Sequence, residues 1–282
     1  MTAVPDERMS SGSPTYEDLL YEVADGVATV TINRPQRRNA MRGQTLEELT
    51  DALNVAARDD AVGVVVVTGA GGHFCGGGDL NMVPGPDGSV NIEPPPVEVA
   101  LHWLQAFRLC PKPVIGRVQG SCIGMGNELN LLCDLTIAGE SARFGQAGPR
   151  VGSVPAAGGT QLLSIVCGLK RAKEIMFLCR TYSGAAAVEM GLANVVVPDD
   201  ELDDEVRRWC DELLALSPQS LRIAKLSLST MLDQQWSSVL HGAELARWFT
   251  RSGDIVEGAA AFLEKRPADF RAAAAGASKE ES

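Results

Sequence analysis

Ser121-Cys122-Ile123-Gly124-Met125-Gly126-Asn127-Glu128-Leu129 is the stretch on which the reading of this chain turns. A short apolar run meets glycine and then residues that suit a helix, so the stretch reads as the turn from a strand into a helix. Such a turn leaves the first helical N–H groups without intrahelical acceptors, at the positive end of the helix dipole. Upstream, Phe74-Cys75-Gly76-Gly77-Gly78-Asp79-Leu80 reads the same way. Two glycine turns facing one another can hold one developing negative charge between main-chain amides, as an oxyanion hole does. Glu128 stands about one helical turn into the second element, a carboxylate beside that hole. Oxyanion donors and one proton-transfer group are the parts needed for chemistry through an enolate or a tetrahedral intermediate.

On either side of these turns, strands and helices alternate. Residues 21–32 have the pattern of a strand pair turning at Asp25-Gly26. Leu46, Leu49, Leu53 and Ala56 set a helical spacing over 44–58. The valine run 62–68 predicts a buried strand. A helix over 98–109, a strand over 113–118, the Glu128 helix and a strand over 134–138 come next, a pattern that predicts a layered α/β fold. From about Pro155 helices dominate, over 160–179, 184–190, 201–216, 218–232 and 235–249, with one strand at 194–197. Leu202, Val206, Trp209, Leu213 and Leu216 form an apolar stripe of a kind that also serves subunit contacts. Residues 83–97 carry five prolines and two glycines, which predicts a loop acting as a lid or left disordered. The expected organisation is a flexible leader over 1–15, an α/β core over 16–200, a helical region over 201–270 and a tail over 271–282.

Composition narrows the class. A chain of 282 residues fits one large domain, or one domain with a helical appendage. Its 45% hydrophobic and 22% charged content is ordinary for a soluble globular enzyme. A net charge of −11 argues against nucleic acid or an anionic membrane surface as partner, though not against an anionic small ligand. Residues 1–18 lack the apolar core of a signal peptide, and the run near 62–67 is too short to span a bilayer. Seven cysteines without a Cys-x-x-Cys pair read as reduced residues. The three histidines, His73, His102 and His241, have no metal-ligand spacing. A cytoplasmic, metal-free protein is expected.

Ile32-Asn33-Arg34-Pro35 with Arg38-Asn39-Ala40, then 74–80, Pro111-Lys112-Pro113-Val114, 124–134 and Phe144-Gly145-Gln146 together resemble the crotonase superfamily, or enoyl-CoA hydratase/isomerase family. The resemblance covers roughly residues 18–270. It implies a spiral of ββα units, homotrimers that commonly pair into hexamers, and a coenzyme A thioester whose carbonyl oxygen sits between two backbone N–H groups. Coenzyme A would enter as part of the substrate, with no permanently bound cofactor. By resemblance the donors are the amides of Gly78 and Met125, the latter where many relatives have glycine. Arg38, Ala40 and Gly76 would border the CoA nucleotide, and Gly77, Asp79 and Leu80 would flank the first donor. Gln146, Gly148 and Ser153 would belong to the substrate site, Gln146 and Ser153 either hydrogen-bonding water or substrate or holding their loop. Phe262 and Lys265 resemble a C-terminal pair that reaches a neighbouring subunit's nucleotide, where a cationic Lys265 would suit a phosphate.

Within the family, Phe144 to Ser153 and Phe177-Leu178-Cys179-Arg180-Thr181-Tyr182 are most similar to the 1,4-dihydroxy-2-naphthoyl-CoA synthase and 2-ketocyclohexanecarboxyl-CoA hydrolase branch. Synthases of that branch have an acidic residue where Pro155 stands and a tyrosine where Thr250 stands. Glu128 occupies the position of one hydratase glutamate, while Gly148 stands in place of the second. That combination resembles hydrolases that add water and open a ring. The expectation is therefore hydrolytic ring opening of a cyclic β-oxoacyl-CoA. The alternatives are hydration of an enoyl-CoA with Glu128 as its single carboxylate, or acyl-CoA binding without turnover. Plainer roles stand beside these. Asp79 would cap its helix, Arg34, Arg37 and Arg38 would form a solvated cluster, Lys265 would be a surface residue, and Cys75 a packed thiol.

Overall fold

The computed structural model describes residues 14–83, 97–155, 158–249 and 252–273, without the side chains of Met231, Leu232, Arg247 and Trp248. The loop expected over 83–97 lies outside the described residues except for its two end residues, as do nearly all of the leader, most of the tail and Thr250. Ten α-helices and nine strands are found among them. The strands are β1 (Leu19–Ala24), β2 (Val27–Ile32), β3 (Val64–Gly69), β4 (Val114–Val118), β5 (Ser121–Ile123), β6 (Leu135–Gly139), β7 (Arg143–Gly145), β8 (Thr181–Ser183) and β9 (Val195–Val197). The helices are α1 (Gly43–Arg58), α2 (Val97–Leu109), α3 (Met125–Leu132), α4 (Gly159–Leu178), α5 (Gly184–Met190), α6 (Leu202–Leu214), α7 (Pro218–Leu228), α8 (Thr230–Gln234), α9 (Trp236–Phe249) and α10 (Gly253–Leu263).

The main sheet has the order β1-β2-β3-β4-β6-β9, parallel except for the β1–β2 hairpin. Strand side chains alternate between faces, and β3 shows what that does here. Val65 and Val67 join the larger core with Leu46, Leu49 and Leu53 of α1 and Trp103 and Phe107 of α2. Val64 and Val66 face the other way, onto Ile115, Ile137 and the α6 residues Leu202, Val206 and Cys210. Both faces are covered, so the strand is a continuous valine run rather than an alternating one.

A second sheet, β5-β7-β8, positions the site. After β4 the chain turns at Gly120 (φ +56°) and starts β5, which leads straight into α3. An isolated parallel bridge then pairs Cys75 with Cys122. That bridge joins the loop after β3 to β5, the strand that leads into α3, near the carboxyl ends of the parallel strands β3 and β4, where open α/β sheets bind ligands.

The α/β class expected from the sequence is the one the chain adopts. The single helix expected over 218–232 is instead two, α7 and α8, parted at Ser229. β7 and β8 had no counterpart in the sequence pattern, and α10 had none beyond the helical region expected over 201–270. Strands of three residues are too short to display a period.

Candidate active site

Hydrogen bonds on either side of Gly78 fix its direction. Met41 donates to the Gly77 carbonyl at 2.8 Å and accepts from the Asp79 N–H at 2.8 Å, forming a parallel bridge between Met41 and Gly78. In that pairing the N–H of Gly78 faces away from Met41. The second turn is pinned likewise. Cys75 donates to Ser121 at 2.8 Å and accepts from Ile123 at 3.1 Å, while Gly124 donates to Gly145 at 2.9 Å. Met125 is the first residue of α3, so its N–H has no intrahelical acceptor. Among the described residues nothing accepts from the Gly78 or Met125 amide.

The two turns touch. A Cβ placed on Gly126 would lie 2.4 Å from the Cys75 carbonyl oxygen, and one on Gly77 3.2 Å from that of Ile123. One on Gly78 would meet the methyl groups of Met125 at 3.7 Å and Met82 at 4.0 Å. The Met125 side chain therefore lies over the first donor. Apolar methyls beside two free amides make a low-dielectric setting in which a hydrogen bond to a charge is strengthened. One expectation is corrected. Gly78 does not head an α-helix among the described residues; after it comes only a 3₁₀ turn over Leu80–Met82. The dipole of a helix is behind Met125 alone.

Glu128 is 3% exposed, and its N–H donates to Gly124 at 3.0 Å. A Cβ on Gly159 would come within 2.9 Å of its Oε1 and 2.8 Å of its Cγ. The side chain is pressed against the first residue of α4, where only glycine leaves room and where the helix start favours negative charge. Its charge also reaches Cys75, whose thiol is pushed up to about 12, chiefly by burial. Cys75 is a packed thiol.

Arg34 departs from the solvated cluster that the sequence suggested. It is 8% exposed, whereas Arg37 and Arg38 are exposed. Its Nη2 lies 3.0 Å from Asp79 Oδ2 and its Nε 3.4 Å from Asp18 Oδ1, and its Nη1 donates to the Ala40 carbonyl. Asp18 also accepts from Arg42 Nε at 2.9 Å and Thr45 Oγ1 at 2.6 Å. Burial raises the Asp18 carboxyl, but the bonds from Arg42 and Thr45 and the charges of both arginines outweigh it and hold the group below its ordinary value. At Asp79 burial is likewise overcome, by the Asn81 side chain and amide and then by Arg34. Asp79 thus does cap the turn it begins, accepting from the Asn81 N–H at 3.1 Å.

Gly76 donates to the Arg38 carbonyl at 2.8 Å, which brings Arg38, Ala40 and Gly76 to one edge of the first turn, with Gly77, Asp79 and Leu80 beyond them. Gln146 follows β7 next to Gly124; it is 2% exposed, and its Nε2 is buried without a partner among the described residues, as are both amide atoms of Asn127. Gly148 accepts from Ser153 at 2.8 Å. A Cβ on Gly148 would lie 2.8 Å from the Ser153 carbonyl oxygen, so a carboxylate side chain does not fit here without movement. Phe262, 60% exposed, and the exposed Lys265 lie at the end of α10. Among the described residues no hydrogen bond or ion pair joins either side chain to the donor turns. His73 is structural, its Nδ1 accepting from the Ser121 N–H at 3.2 Å. Trp103 is wholly buried in the core.

Sequence reasoning missed Arg34 and Gly159. The Gly158-Gly159 pair before a helical pattern was a visible signal for the second. A cavity of about 130 Å³ lies apart from these residues, bordered by Phe107, Leu131, Leu162 and the Lys225–Asp134 ion pair.

Comparison with known proteins bears on the family and the fold. The family model described as Enoyl-CoA hydratase/isomerase matches residues 22–273. The chain belongs to the enoyl-CoA hydratase/isomerase family. It is a crotonase-superfamily enzyme of acyl-CoA thioesters. An enoyl-CoA hydratase structure from Mycobacterium avium subsp. paratuberculosis K-10 is 29% identical with a TM-score of 0.80, covering 91% of this chain and 99% of that one. An enoyl-CoA hydratase/isomerase from Xanthobacter autotrophicus Py2 is 32% identical at TM-score 0.79, with 93% and 97% covered. A carnitinyl-CoA hydratase from Mycobacterium avium is 30% identical at TM-score 0.79, with 92% and 100% covered. No helix among the described residues is long and apolar enough to cross a membrane.

Proposed function

We propose that the chain binds the thioester oxygen of an acyl-CoA between the amides of Gly78 and Met125 and uses Glu128 to activate water. The favoured reaction is ring opening of a cyclic β-oxoacyl-CoA. Water, losing a proton to Glu128, attacks the ring ketone. The bond between that carbon and the α-carbon breaks, its electron pair passes into the thioester enolate, and the oxyanion rests on the two amides. A proton returned to the α-carbon completes a carboxyacyl-CoA. The observation that carries this reading is the pairing of one buried carboxylate, Glu128, with a glycine at 148 whose surroundings leave no room for a second.

A second reading is hydration of an enoyl-CoA with Glu128 giving and taking the proton. The hydratases among the similar structures favour it. Product mass separates the two: an opened ring with a new carboxylate, or a hydroxyacyl-CoA. In either reaction Glu128→Gln lowers kcat by about 10²–10⁴, the usual worth of a positioned acid or base; undiminished turnover would remove Glu128 from the mechanism.

Arg38, Ala40 and Gly76 border the CoA nucleotide in this reading, with Lys265 and Phe262 supplied by a neighbouring subunit. Gln146 Nε2 offers an unused donor to the acyl group or its water, and Ser153 lies on the same loop. The assembly is a homotrimer or a pair of trimers. Exposed Ile223, Leu226 and Leu228 of α7 and Phe262 and Leu263 of α10 provide apolar surface for it.

A further inference from the structure

We propose that Arg34 is a positioning residue for the Gly78 amide. The inference rests on the reading that this amide receives the thioester oxygen. Met41 and Gly78 form the bridge that aims the donor. Arg34 grips both strands of that bridge, taking the carbonyl of Ala40, just before Met41, and the carboxylate of Asp79, just after Gly78. One planar guanidinium can do this because its donors fork in fixed directions; a lysine ammonium is a single point of charge. The clamp is anchored in turn, since Arg34 Nε faces Asp18, which Arg42 and Thr45 hold from its other side.

The charge matters as much as the shape. Asp79 is adjacent to Gly78, 4% exposed, and its negative charge would oppose the charge that grows on the substrate oxygen, most strongly in a site shielded from water. Arg34, at 3.0 Å, offsets it. Arg34 itself need touch no substrate atom. It acts through the direction and the local field of one peptide group.

The test uses cinnamoyl-CoA labelled with carbon-13 at the thioester carbonyl, read by infrared difference spectroscopy on the intact chain. Polarisation by two amides lowers the bound C=O stretch relative to free ligand. In Arg34→Lys at least half of that lowering is lost. On the thioester that the product-mass assay identifies, kcat falls about tenfold with KM within about twofold, part of the 10²–10³ that removing a whole oxyanion donor costs. Arg34→Gln, which leaves the Asp79 charge without its partner, moves the stretch the same way and serves if Arg34→Lys does not fold. Arg42→Gln, which weakens the anchor at Asp18 but touches neither Ala40 nor Asp79, lowers the melting temperature and leaves the stretch unmoved. A lowered stretch that persists in both Arg34→Lys and Arg34→Gln, with kcat unchanged, overturns the positioning role and leaves the oxyanion reading intact. No lowering in the unsubstituted chain overturns the oxyanion reading, and the inference with it.

Discussion

Gly126 shows how closely the site is built. Its α-carbon rests on the Cys75 backbone, and a Cβ there would lie 2.4 Å from the carbonyl oxygen and 2.8 Å from the Cys75 Cβ. Gly126→Ala must therefore push the two turns apart, at about 1–3 kcal/mol for an overpacked contact. The expected outcome is a lower melting temperature together with a fall in kcat, because Met125 moves with its neighbour. A substitution that lowers only stability would detach Gly126 from the donor geometry. The acid dependence belongs to Asp18 and Asp79, whose carboxyls are held below their ordinary values. The stability they lend is fully present above the unfolded value, about 3.9 for aspartate. It is lost as pH falls through their lower folded values. Asp79→Asn should reduce stability at neutral pH and flatten its decline at acid pH, measured by denaturant unfolding across that range. A decline as steep as that of the unsubstituted chain would contradict the assignment. Arg34 was hidden in the sequence for a physical reason. Arginine before proline, beside two more arginines, has the look of a solvated cluster, and its partner Asp79 is 45 residues away. Only folding makes that pair visible.

At the scale of elements, the parts legible in the sequence were those that repeat. The valine run of β3 is long enough to read as a strand buried on both faces and the leucines of α1 to show a helical period, and the structure has both where the pattern put them. β7 and β8 have no such length. They exist because neighbours satisfy their backbone groups, β7 pairing with β5 on one side and β8 on the other. The first glycine turn misled for a related reason. Glycines announce a sharp turn but not the element beyond it, and here a bridge to Met41 replaces the expected helix start. The candidate site was nevertheless readable as a pair of turns, because close backbone approach demands glycine whatever element comes next. The C-terminal helix α10 acts at this scale as a buttress. A Cβ on Gly258 would fall 2.3 Å from the Val151 carbonyl group, so α10 lies directly on the 148–151 turn that carries Gly148. Gly258→Ala should loosen that contact, lower the melting temperature by several degrees and raise KM more than it lowers kcat. Unchanged KM would show that the turn holds its shape without α10.

The whole molecule is an acidic chain that is proposed to bind an anion, with a net charge of −11. The proposed resolution is local and shared, with Arg38 on one subunit and Lys265 on another approaching the CoA phosphates. Assembly then becomes part of the site. Native mass spectrometry should find three or six copies, and Leu228→Glu on the exposed face of α7 should shift the population toward monomer and weaken CoA-ester binding together. Monomer that binds as tightly as the parent would confine the site to one chain. The claim beneath all of this is that a thioester oxygen sits between Gly78 and Met125. A crystal structure of the Glu128→Gln chain with an intact acyl-CoA tests it most directly. The account predicts that oxygen about 2.7–3.1 Å from both amide nitrogens, the range of a working oxyanion hole. A well-ordered ligand whose carbonyl bonds to neither nitrogen, or to only one of them, would contradict it.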